Sequence, residues 1–164
     1  MKREMKNAVF LMGGDTRLTP DTLPRMKARL QMLQEQTRPL WGLRKPAEMI
    51  AHLRRNVEVA LGEVEVKDDS TLLSRTVLRW YVFNSGIPWA KGKIHAPKVM
   101  SPPPDRDFAE ERERLFATME RFVAAAAKEP QRRTVHPFFG PVKLPYWSRM
   151  LGMHIEYHLT QFGV

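Results

Sequence analysis

The sequence predicts an all-α chain, a bundle of helices around one core, and three observations predict it. Apolar residues recur three and four apart through most of the chain, the period of one helix face. Prolines and glycines stand where helices start and stop, at Pro46 and Gly62 and again at Pro145 and Gly163. Period-two alternation between turn residues, the mark of a strand, is lacking. The chain has 164 residues, which fits a single domain (1–164), since domains most often run to about 100–150 residues.

Residues 1–20 read as an N-terminal extension. Its start, Met1 to Lys6, is basic like the first part of a signal peptide, but the apolar run Ala8 to Met12 is too short to continue one. No stretch approaches the ~20 apolar residues a membrane span needs, and a soluble protein is expected. A first helix starts near Asp21, aligns Leu23, Met26, Leu30 and Leu33, and ends before Pro39. The second runs from Pro46 to Gly62. On its wheel Met49, Ile50, Leu53, Val57, Ala60 and Leu61 face inward, and His52 and Asn56 flank that arc. A third, apolar on several sides, spans about Thr71 to Asn84.

Pro88, Pro97 and the triplet Pro102-Pro103-Pro104 make residues 87–104 a long, irregular proline-rich connection. Asp107 then opens a helix with Phe108, Leu115, Met119, Phe122 and Ala126 on one face, ending before Pro130. Residues 131–144, which carry His136-Pro137-Phe138-Phe139-Gly140, read as a loop. The last helix begins at Pro145 and places Trp147, Met150, Leu151, His154, His158, Gln161 and Phe162 on one arc, with Glu156 opposite. Trp41, Trp80, Trp89 and Trp147 are expected in the core or in a pocket wall.

Composition narrows the chemistry. There is no cysteine, so there is no disulfide framework and no thiolate nucleophile or ligand, and a reducing cytoplasm is the expected compartment. The net charge is +9, but it is spread: residues 1–62 hold 12 basic and 6 acidic side chains, residues 105–130 hold 5 and 7. Nucleic-acid binding needs the charge gathered on one face, and that is not the pattern here.

The informative feature is His154-Ile155-Glu156-Tyr157-His158, because side chains four apart on a helix can point two imidazoles at one ion. The intervening acid, Glu156, lies on the far side of the helix from the pair and is not a general base for it. His52, bordering the inward face of the second helix, is the best third ligand. The competing reading is that these are hydrogen-bonded core histidines, the commoner fate of an inward His.

The strings Leu40-Trp41-Gly42 through Glu48-Met49-Ile50-Ala51-His52-Leu53, then His136-Pro137-Phe138-Phe139-Gly140, then His154 to Gly163 resemble the DinB-like (YfiT-like) superfamily of metalloenzymes, and most closely a branch described as a domain of unknown function. The resemblance runs from about Leu30 to Val164. It implies a four-helix bundle of DinB type, here with an additional short helix and the proline-rich loop, holding a divalent metal, zinc or nickel, on His52, His154 and His158. Two features depart from that branch: Tyr157 stands where a further His commonly precedes the second ligand, and Leu144-Pro145-Tyr146 replaces a Thr-led, acid-rich helix start.

The resemblance further implies a small-molecule substrate. Characterised members of the superfamily transfer low-molecular-weight thiols such as bacillithiol or mycothiol, so a thiol cosubstrate and an electrophilic acceptor are expected, with metal-dependent hydrolysis second. A non-catalytic helical interaction module is the alternative class. Dimers occur among such relatives, so a homodimer is an expectation too. Weaker candidates for a catalytic role are His136, which could orient substrate, serve as an extra metal ligand or simply fix its own loop, and Glu48, one turn before His52, which the helix dipole explains equally well. Glu48 and Asn56, one turn before and after His52, and Gln161 are also candidates to hold an imidazole's second nitrogen. His95 has no motif around it and is expected at the surface.

Overall fold

The computed structural model describes residues 15–85, 89–92 and 96–164. Residues 1–14 of the N-terminal segment, Pro88 and His95 lie outside the described residues. The elements in chain order are α1 (Leu23–Met32), α2 (Pro46–Leu61), a π-helical turn (Ser74–Leu78) continuing into α3 (Arg79–Asn84), a 3-10 turn (Lys98–Met100), α4 (Phe108–Lys128), the strands β1 (Arg133–His136) and β2 (Gly140–Lys143), and α5 (Leu144–Phe162).

The fold corrects the predicted all-α four-helix bundle of DinB type. The chain is mostly helical, but the five α-helices among the described residues are accompanied by an antiparallel hairpin where the sequence reads as loop, pairing Arg133 with Lys143 and His136 with Gly140. Strands of four residues are too short to show a period, and Pro141 speaks against a strand. A two-stranded ribbon consists of edges alone, however, so a missing amide is tolerated there. Gly140 closes the turn at φ +67°, where only glycine is unstrained.

The hairpin is held by what it offers to α2. The Thr134 hydroxyl donates to Ala60 O at 2.8 Å and the Arg132 guanidinium to Leu61 O. Both carbonyls belong to the last turn of α2, where no helical partner exists. Gly62 completes that end in the left-handed conformation, its N–H turned back to Glu58 O and Val59 O.

α2 is the central element, buried on nearly every side and packed against α4 and α5. Burying Arg54 on it is tolerable because its guanidinium meets Glu111 at 2.9 Å and Glu58 at 2.6 Å. Across α5 run residues 16–18, and Gly152 lets them approach: a Cβ there would stand 1.6 Å from Thr16 O. Ser148 fastens the crossing, its hydroxyl donating to Leu18 O at 2.7 Å. Leu18, within the segment read as an extension, is therefore buried in the core. By contrast, residues 72–81 carry Leu72, Leu73, Val77, Trp80 and Tyr81 exposed, so Trp80 is not in the core.

Candidate metal centre

α2 and α5 bring His52, His154 and His158 to one point. The Nε2 atom of His154 lies 3.0 Å from Nε2 of His52 and 3.0 Å from Nε2 of His158. His52 and His158 are buried and His154 is half-buried. The i, i+4 spacing on α5 supplies one pair, and the inward lean of His52 on α2 supplies the third ring.

What the rings can do follows from their other nitrogens. His52 Nδ1 stands 2.6 Å from Met100 O, and a carbonyl can only accept, so Nδ1 carries the proton. Ser101 Oγ lies 3.0 Å from the same atom, and the Asn56 amide steadies the carbonyl by donating to Met100 O at 3.3 Å and to His52 O at 2.7 Å. His158 Nδ1 is 2.7 Å from Gln161 Oε1. The Gln161 amide is oriented by its Nε2, which donates to Trp41 O at 2.9 Å, so His158 Nδ1 is also the donor. These tautomers are assigned from their partners. Neutral imidazoles protonated at Nδ1 have bare lone pairs at Nε2.

Two bare nitrogens thus face the Nε2 atom of His154, and one proton there can satisfy only one of them. At least one 3.0 Å contact would then set lone pair against lone pair. A divalent cation at the common point removes the conflict, as it accepts from all three. Ligand nitrogens at about 2.0–2.1 Å from a tetrahedral ion stand roughly 3.3–3.4 Å apart; here the three ligand atoms lie within 4.8 Å of one another, and an ion would widen both 3.0 Å contacts. The three histidines could hold a metal ion.

The electrostatics favour the neutral, metal-ready form. Burial pushes His52 down to about 3, helped by His158 and by the Arg44 guanidinium. Burial likewise lowers His158 to about 4, against the opposing Gln161 hydrogen bond, and holds His154 well below its ordinary value. A wall of aromatics stands on one side: the Trp89 ring is 6.1 Å from His154 and 5.8 Å from Tyr157, and Trp41 meets Tyr157 edge-on at 5.9 Å.

The other sequence candidates lie elsewhere. His136 is buried at the hairpin turn, where its Nδ1 accepts the N–H groups of Phe138 (3.0 Å) and Phe139 (3.3 Å). Burial pushes it down to about 4. Glu48 spends Oε2 on the Lys45 N–H at 2.8 Å, at the start of α2. Glu156 faces Arg25 at 3.3 Å and Arg29, away from the centre. Of the two proposed orienting residues near the rings, Gln161 is in hydrogen-bond contact with His158, and Asn56 bonds the carbonyl that receives His52. Two residues the sequence does not reveal are Met100, which acts through its main chain, and Arg44, whose charge acts on all three rings.

Among the described residues no helix is long and apolar enough to cross a membrane. Comparison with curated proteins and with solved structures finds no match. Residues 15–163 match the family described as protein of unknown function, DUF1569, and the chain belongs to that family.

Proposed function

We propose that this protein is a metal-dependent enzyme related to the DinB-like superfamily, with zinc or nickel on His52, His154 and His158, and that its reaction is the transfer of a low-molecular-weight thiol to an electrophilic small molecule. The observation that carries the reading is the convergence of three Nε2 atoms, those of His52 and His158 on rings whose Nδ1 is pinned by Met100 O and Gln161 Oε1. Three protein ligands leave a position open, the arrangement of catalytic rather than structural sites. A divalent ion with neutral ligands keeps its full charge and lowers the pKa of a bound water or thiol.

The chain's own residues then divide the work. Met100 and Gln161 hold the rings in one tautomer and one orientation, and Trp41, Trp89 and Tyr157 shield the flank of His154. Thiol transfer is favoured over hydrolysis because the nearby acids are committed elsewhere. Glu48 accepts the Lys45 N–H and Glu156 pairs with two arginines, whereas hydrolytic metal helices carry a carboxylate base beside the ion.

Metal analysis of protein purified without a His tag tests the centre. About one ion per chain, lost in His158→Ala, is the expected result, and metal-free protein from metal-replete medium would overturn it. Cobalt(II)-loaded protein tests the chemistry: 2-mercaptoethanol should raise a thiolate-to-cobalt charge-transfer band. Cobalt uptake with no such band would remove thiol transfer and leave the centre.

A further inference from the structure

The helical stretch that runs from the π-helical turn into α3 is apolar where the rest of the chain leaves it uncovered. Leu72, Leu73, Val77, Leu78, Trp80 and Tyr81 are all exposed, Leu72 at 80% and Trp80 at 59%. From Thr71 to Leu78 every residue but Ser74 is exposed, so for about two turns the helix stands off the core. Val99 and Phe138, exposed near its start, line with Lys67 and Asp69 a surface cavity of about 250 Å³.

Both ends of the stretch are fastened. Thr71 and Ser74 cap its start reciprocally, the Thr71 N–H donating to Ser74 Oγ at 2.8 Å and the Ser74 N–H to Thr71 Oγ1 at 3.1 Å. Just before them the Asp69 N–H donates to Pro137 O at 3.0 Å. At the far end Phe83 is buried, its ring 5.4 Å from Phe139 and 5.7 Å from Trp89. The apolar surface in between is therefore preformed, and a partner need not order it.

The charge that accompanies it has one sign. Residues 70–104 contain five lysines and arginines and no aspartate or glutamate. The two acids at the edge are matched, Asp68 by Arg75 at 2.8 Å and Asp69 by Lys67 at 2.8 Å. Among the described residues Arg79, Lys91 and Lys98 have no carboxylate partner, and the first two lie over the rings of Tyr146 and Trp41. This disfavours a second copy as the cover, because a two-fold contact would set the cations against their own kind. A single partner helix is disfavoured too, as it covers a stripe of roughly 100° and the exposed turns are open more widely. A bilayer rich in anionic lipid suits both features. Its acyl boundary receives apolar side chains over a broad arc, Trp and Tyr sit at headgroup level, and lipid phosphates receive the cations.

We propose that residues 72–81 lie in the headgroup layer of an anionic membrane and hold the protein at its surface. The helix lies along the membrane and does not cross it, being neither long nor apolar enough to do so. This docking is independent of the histidine centre and of any metal there.

Flotation of the untagged chain with vesicles of phosphatidylcholine alone, and of phosphatidylcholine with about 30 mol% phosphatidylglycerol, tests the docking. The mixed vesicles should be bound about tenfold tighter or better, and about 0.5 M salt should remove most of that difference. Val77→Glu, an acid at an already exposed position, should weaken binding to the mixed vesicles by about tenfold or more, with far-UV circular dichroism unchanged. Should Val77→Glu not fold, Trp80→Ala carries the test, with about a threefold loss or more expected and unchanged binding overturning the proposal. No binding to the mixed vesicles, equal binding to both kinds, or undiminished binding by Val77→Glu also overturns it. Sedimentation of the chain without lipid reads the competing cover: a dimer that Val77→Glu dissociates would assign this face to a second copy and overturn the membrane docking.

Discussion

Four buried or half-buried histidines divide into two regions with opposite hydrogen-bond logic. At the centre between α2 and α5, Nδ1 of His52 and of His158 donates outward to an oxygen, leaving Nε2 bare and turned to the other rings. At the hairpin turn, Nδ1 of His136 accepts two main-chain N–H groups, so that nitrogen is spent on the chain's own backbone. Burial lowers the pKa in both regions. What separates a ligand from a structural histidine here is which nitrogen is free and what it faces.

The largest expected effect that could break the comparison is at the centre. His154→Ala should reduce metal affinity by a thousandfold or more, on the order of the loss of one of three ligands, while far-UV circular dichroism stays near that of the parent. Equal loss of helix and metal would mean that the ion holds the fold together. His136→Ala should do the reverse. It leaves the N–H groups of Phe138 and Phe139 without their acceptor, each worth about 1–3 kcal/mol when buried, so urea unfolding should show about 2–4 kcal/mol lost with metal stoichiometry intact. Loss of metal in that variant would move His136 into the centre.

Gln161 sharpens the contrast on a smaller scale. Removing the acceptor in Gln161→Met should weaken metal binding by about 10–100-fold, as changes to the partners of ligating histidines do. Gln161→Glu, which keeps an acceptor, should stay close to the parent. Competition with a chromogenic chelator reads both.

Acid is the mildest probe. The folded value of His136 is about 4, below the value of roughly 6.5 for an unperturbed imidazole. The unfolded chain therefore takes up the proton first. The stabilising contribution is complete above pH 6.5 and shrinks as pH falls toward 4. The urea midpoint of metal-free protein should drop between pH 7 and pH 5, and that drop should be smaller in His136→Ala. An unchanged midpoint would show that the ring is not buried neutral.

Much of α2 and α5 was legible beforehand because their signals are local. Pro46 and Gly62 bracket one, Pro145 and Gly163 the other, and the four-residue spacing of His154 and His158 follows from the helical period alone. Gln161 was legible for the same reason, one turn from its partner. The hairpin was not, since four-residue strands containing Pro141 carry no period and owe their pairing to docking on the end of α2. Trp80 was misplaced because an apolar helix looks the same in sequence whether or not anything packs upon it. Met100 was out of reach altogether, as a main-chain carbonyl has no side-chain signature and lies 48 residues from the ring it receives.

The sequence by itself determined which helices form and which faces of them are apolar, and so put three imidazoles on inward arcs, because propensity, caps and periodicity act within a few residues. Only the tertiary structure decided that the three Nε2 atoms meet and that Met100 and Gln161 settle the tautomers of His52 and His158. Hydrogen-bond partners depend on contacts between segments about 50 to 100 residues apart, and those exist only once the core has closed.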